Sequence, residues 1–120
     1  MQLIAGILVG LVAVLHVYIL VLEMFLWKGK RARAAFGTTA EFAEASAPLA
    51  ANQGLYNGFL AVGLCWGLIA SNPVGFAFQV FFLGCVIVAG IYGSITANRR
   101  ILFVQVVPGA LALLFVLLAH

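Results

Sequence analysis

The sequence predicts an all-α, polytopic membrane protein: a compact bundle of four transmembrane helices, with a short interfacial helix in the first cytoplasmic loop and residues 1–120 forming one domain. Three observations carry this. The chain is 66% hydrophobic and 8% charged, against roughly 25% charged in a soluble domain. Its mean hydropathy of +1.23 leaves no room for a separate soluble domain. Four apolar segments, Leu3 to Trp27, Leu49 to Ala70, Val74 to Ala97 and Ile101 to Ala119, supply the about 20 residues needed to cross a hydrocarbon core of about 30 Å. The same composition excludes an intrinsically disordered chain and a secreted disulfide scaffold.

In the first segment the basic residues follow the apolar stretch, which is also too long for a secretory h-region, so this segment is expected to stay in the mature chain. The connection after it has two parts. Lys28 to Arg33 is basic, and Thr38-Thr39-Ala40-Glu41 matches a capping box, which predicts a short helix ending near Pro48. Phe36 and Phe42 would let that helix lie at the membrane interface. A tight Ser71-Asn72-Pro73 turn joins segments two and three. In the fourth, Pro108 is expected to free the carbonyl near Val104 and kink the helix beside Gly109.

The six basic residues fall in two inter-span connections, Lys28, Lys30, Arg31 and Arg33 in one and Arg99 and Arg100 in the other. Both lie on one side of a four-span chain, and the positive-inside rule makes that side cytoplasmic, with both termini outside. These side chains are expected to contact lipid headgroups at about 1 kcal/mol each against an anionic leaflet, a number that marks orientation more than a specific lipid site. The net charge of +3 and pI of 9.2 therefore point to membrane lipids as partners and not to nucleic acid.

Small residues recur every four positions: Gly6 and Gly10; Ala50, Gly54 and Gly58; Gly63 and Gly67; Ala89, Gly93 and Ala97. Helices in lipid associate by close backbone approach, which such stripes permit. They serve the bundle, a homo-oligomer, or both.

Ionisable residues inside spans normally face the bundle interior and count as site candidates. His16 and Glu23 are seven apart, so they return to within about 20° of one face, separated by about 10 Å along the axis. Span two adds Asn52, Gln53, Tyr56 and Asn57, span three Tyr92 and Thr96, and span four Gln105. All fall in the cytoplasmic half, while the outer half holds little beyond Gln79. The polar set His16, Glu23, Asn52, Gln53, Tyr56, Asn57, Tyr92 and Gln105 is the candidate ligand or proton site. The plainer alternative is that these groups only satisfy each other, at about 0.6 kcal/mol per interhelical hydrogen bond. No catalytic residue, metal set or cofactor motif is assigned: one His and one Glu seven apart are not adjacent ligands, and Ser94 has no His at local spacing. Cys65 and Cys85 lie in apolar stretches and read as small hydrophobes.

The stretches His16-Val-Tyr-Ile-Leu-Val-Leu-Glu23-Met-Phe-Leu-Trp27 and Leu49-Ala-Ala-Asn-Gln-Gly-Leu-Tyr-Asn-Gly-Phe59 resemble the small bacterial integral membrane proteins of domain of unknown function family 1304. The resemblance covers the whole chain without a clear departure. It implies a four-span protein of the bacterial inner membrane and the importance of His16, Glu23, Asn52, Gln53 and Asn57, but no activity. The layout is also loosely similar to four-helix membrane proteins of the DoxX-like kind, in architecture only.

Three functions stay open. One is binding or transport of a small ligand, with Glu23 as cation or proton site. Another is a membrane-embedded enzyme on a lipid or sterol-like substrate, with Glu23 or His16 as acid or base. The last is a structural or partner-binding protein whose polar groups lock the helices.

Overall fold

A computed structural model describes residues 1–120 as an all-α chain. Its elements are α1 (Gln2–Met24), α2 (Lys30–Phe36), α3 (Ala40–Ile69), α4 (Val74–Thr96), a π-helical segment (Leu102–Val106) and α5 (Val107–Leu118). Two helices, α1 and α4, are long and apolar enough to cross a membrane. Helix α3 is longer still at 30 residues, but Asn52, Gln53, Tyr56 and Asn57 lower the hydropathy of its middle. Leu102–Leu118 is apolar but shorter.

The first connection differs from its sequence reading. The short helix is α2, which forms in the basic stretch and closes at Gly37, whose φ of 68° places it in the left-handed region that favours glycine. The helix expected to end near Pro48 instead runs on to Ile69. Proline removes one donor, the partner of the Glu44 carbonyl, and Glu44 is exposed, so water can take its place. The cap is also one residue later than the capping box implies. The Phe42 N–H donates to Thr39 Oγ1 at 3.1 Å, leaving Glu41 in the first turn, where a negative charge complements the helix dipole.

Pro108 acts as its chemistry requires. The Val107 N–H donates to the Leu102 carbonyl, five residues back, so the π register ends where α5 begins. Pro108 then falls in the first turn of α5, which continues directly from the π segment, so its missing N–H deprives the Val104 carbonyl of its i+4 donor.

The chain divides into two compact units, Met1–Val14 with Leu60–His120, and Leu15–Phe59. The first is built on Val9, Val12, Leu64, Leu83, Val86 and Val116, all buried. Its helices meet through neutral amides that reach main-chain carbonyls. Gln79 Nε2 donates to the Gly67 carbonyl at 2.8 Å, and Gln105 Nε2 to that of Val86 at 2.9 Å. At the α3–α4 turn the Phe76 N–H donates to Asn72 Oδ1 at 3.1 Å. Gly75 lies so close beneath that turn that a Cβ there would collide with the carbonyl oxygens of Ala70 and Gly67.

The second unit, Leu15–Phe59, holds the end of α1, all of α2 and the start of α3. Trp27 Nε1 donates to Ser46 Oγ at 3.0 Å, and that hydroxyl donates to the Phe42 carbonyl at 2.6 Å. The Trp27 ring packs on Phe36 with centroids 5.0 Å apart. Lys28 Nζ pairs with Glu44 at 3.4 Å, both exposed.

The backbone carbonyls under Gly75 cannot rotate away as a side chain can, so Gly75→Ala should destabilise the fold by about 1–3 kcal/mol. Gly84 faces open space, and Gly84→Ala should be neutral or stabilising. Thermal midpoints of the two variants in one detergent would check the contrast.

Candidate functional site

Glu23 is one residue from the end of α1, and Asn57 lies in the middle of α3. Both are buried, at 7% and 8% exposure. Asn57 Nδ2 donates to Glu23 Oε1 at 2.6 Å, a short bond of the charge-assisted kind if the carboxyl is ionised. The helices can approach this closely because position 54, one turn before Asn57, is glycine. A Cβ at Gly54 would stand 2.6 Å from Met24 Cγ, 3.1 Å from Glu23 Cβ and 3.3 Å from the Leu20 carbonyl. The small-residue stripe thus has a definite use here: it brings α3 onto the last turns of α1, and the amide then meets the acid.

No Lys, Arg or His side chain forms an ion pair with Glu23; the ion pair of this unit is Lys28–Glu44. His16, at 0% exposure, is buried in the same unit on the face that the seven-residue spacing indicates. The rise of about 10 Å between the two makes them successive positions along α1, not a contacting pair.

The other members of the candidate set separate from this core. Asn52, Gln53 and Tyr56 are exposed on α3, and Tyr56 stacks edge-on against Phe59 with centroids 5.5 Å apart. Tyr92 and Gln105 belong to the other unit, where Tyr92 is exposed and Gln105 is committed to the Val86 carbonyl. Thr96 Oγ1 donates to the Tyr92 carbonyl of its own helix at 2.8 Å. The structure therefore joins Glu23 to Asn57 directly and leaves the remaining amides of α3 on the surface. Arg99 and Arg100 are exposed beyond α4, and the Arg100 N–H donates to Asn98 Oδ1 at 2.9 Å.

Two concave features have no counterpart in the sequence reading. One, of about 310 Å³, gathers Gln2, Ser71, Asn72, Gln79 and His120 in the unit Met1–Val14 with Leu60–His120. Sequence alone credits that end with Gln79, because Gln2 and His120 are near the chain ends and Asn72 is part of a turn. His120 packs on Phe76 with ring centroids 4.3 Å apart. The second is an open groove of about 500 Å³ lined by Tyr18, Lys30, Arg31, Ala34 and Ala35. There Arg31 Nη1 donates to the Tyr18 hydroxyl at 3.0 Å, and that bond holds the fully exposed guanidinium above its ordinary pKa. Tyr18 and Arg31 are 13 residues apart across a loop, a link no local pattern announces. Neither feature is lined by Glu23, Asn57 or His16.

A family model described as Protein of unknown function (DUF1304) matches residues 10–117, which include both halves of the Glu23–Asn57 pair. The chain is 34% identical over 106 residues, 87% of its own length and 86% of the relative's, to a Lactococcus lactis subsp. lactis (strain IL1403) protein named Uncharacterized protein YpaA. No solved structure matches.

Removing the amide while keeping the acid leaves a buried carboxyl oxygen without its donor. Asn57→Leu should therefore cost about 1–3 kcal/mol, read as a lowered thermal midpoint, whereas Glu23→Gln keeps an acceptor for Asn57 and should stay near wild type. Gly54→Ala should fall on the Asn57→Leu side, since it forces the two helices apart.

Proposed function

We propose, from the premise that this chain belongs to the DUF1304 family, that it is a four-span membrane protein binding or transporting a small ligand, with Glu23 as its cation or proton site. One observation carries the reading: a buried carboxyl whose one hydrogen-bond partner is a neutral amide and which has no cationic partner. A carboxylate taken out of water with no counter-charge is expensive, and a proton or a bound cation removes that cost. Asn57 fixes the geometry of one oxygen, and the other is left for the exchangeable ion. His16 is the second station, one step farther along α1.

In this reading Leu49–Ile69 of α3 and the Leu102–Leu118 stretch supply the two spans that join α1 and α4. At about 1.5 Å per residue, α3 from Leu49 is about 31 Å long, and the last stretch about 26 Å, near the thickness of a thin bilayer. The protein resides in the bacterial inner membrane with its basic loops inside and both termini outside. The exposed Asn52, Gln53 and Tyr56 line the approach to Glu23 or a contact with a second copy.

The close approach at Gly54 favours a second reading, in which Glu23 and Asn57 only lock α1 to α3. A thermal-shift screen against cations, amphiphiles and metabolites separates the two. Under the first reading some compound raises the wild-type midpoint and fails to raise that of Glu23→Gln. In proteoliposomes that compound would drive a proton or cation flux lost in the same variant. Under the second reading wild type and Glu23→Gln respond alike to every compound.

A further inference from the structure

The four cations of the Lys28 to Arg33 stretch are not equivalent. Lys28 is paired with Glu44 at 3.4 Å. Lys30 and Arg31 have no carboxylate within ion-pair distance and line one groove together. The groove follows from the sequence of α2. Lys30 and Arg31 occupy one helical turn, and Ala34 and Ala35 lie four residues on, beneath them, so two long cationic side chains stand beside two methyl groups. A recess with a positive rim and an uncharged floor results, of about 500 Å³.

Arg31 is exposed but not fully extended. It folds back so that Nη1 donates to the Tyr18 hydroxyl at 3.0 Å, and Tyr18 belongs to α1, a helix apolar enough to cross a membrane. Six residues separate Tyr18 from the end of α1, so this tether draws the guanidinium about 9 Å back along the helix, level with apolar surface. That surface is exposed: Val17 is 47% exposed, and Phe25 is exposed beyond the helix end. One guanidinium nitrogen is used by Tyr18, and the remaining donors of the planar fork stay available for a tetrahedral oxyanion.

We infer that Lys30, Arg31 and Tyr18 form a discrete site for the phosphate of an anionic phospholipid, whose acyl chains lie along the exposed apolar face of α1 next to Val17. The inference rests on the membrane reading above but not on any role for Glu23. The ligand must be anionic because both rim groups are cations without an acid. It is a lipid because the tether sets the cationic rim beside an apolar helix surface, where a free ion would gain nothing from the neighbouring aliphatic groups.

The test is native mass spectrometry of the full-length protein in mild detergent with phosphatidylglycerol or phosphatidylcholine of identical chains. Wild type should retain one phosphatidylglycerol at least about fivefold better than phosphatidylcholine. Arg31→Gln and Lys30→Gln should each abolish that preference, and Tyr18→Phe should weaken it by releasing the guanidinium. Lys28→Gln, which removes the same charge from a residue outside the groove, should preserve the preference, and so should Glu23→Gln, whatever the fate of the ligand reading. Equal losses in Lys28→Gln and Arg31→Gln would reduce the effect to net charge and overturn the site. Displacement of phosphatidylglycerol by millimolar inorganic phosphate would assign the groove to a free anion and overturn the lipid.

Discussion

The bond between Asn57 and Glu23 sets the register on which the unit Leu15–Phe59 is built. It ties the last turn of α1 to the middle of α3, and Gly54 allows the two backbones to come near enough for a 2.6 Å contact. From that point the remaining contacts follow in an antiparallel order. Moving outward from residue 23 of α1 to residues 27 and 28 in the turn that follows it, the partners on α3 move backward from residue 57 to Ser46 and Glu44. Trp27 and Lys28 could not meet those partners if the amide met the acid one turn earlier or later, because each helical turn displaces a side chain by about 5.4 Å. Helix α2 fits within the loop this register leaves, its Ala32 fully buried and its Lys30 and Arg31 exposed.

Much of this is legible in the sequence, for identifiable reasons. Buried ionisable residues in an apolar helix leave a strong signal, so Glu23 and His16 stand out, and the seven-residue spacing places both on one face. The Gly54 stripe beside Asn57 marks the closest-packing face of α3. Not legible is which of four neighbouring polar residues turns inward. Asn52, Gln53, Tyr56 and Asn57 share an arc of about 140°, and only the approach at Gly54 selects Asn57, the one at the edge of the arc nearest that glycine. The capping pattern places a helix start correctly to within a residue, yet Pro48 is no stop, because a proline near an exposed helix end forfeits one replaceable bond. The Arg31–Tyr18 tether leaves no trace in local spacing, since it depends on the loop after α1 doubling back.

The two units use polar groups differently. In Met1–Val14 with Leu60–His120, the amides of Gln79 and Gln105 each reach a main-chain carbonyl of a neighbouring helix. A glutamine is well suited to such a contact, since it supplies a donor, carries no charge and adds a modest increment to helix association. Nothing about either contact asks for a titratable group. The cost of burying them is met within the contact, because a carbonyl can accept a second bond while keeping its helical one.

Glu23 departs from that pattern. At its position a glutamine oxygen would accept the Asn57 donor with the same geometry and without the penalty of burying a charge. The chain thus joins helices twice through an amide on a main-chain carbonyl and once through an amide on an acid, and the acid stands where no cation compensates it. Selection for stability alone has no reason to keep the more expensive group, whereas a site that must take up and release a proton or a cation cannot be built from an amide. The difference between Glu23 and the two glutamines, more than the burial of Glu23 itself, is what makes this carboxyl the centre of the functional reading.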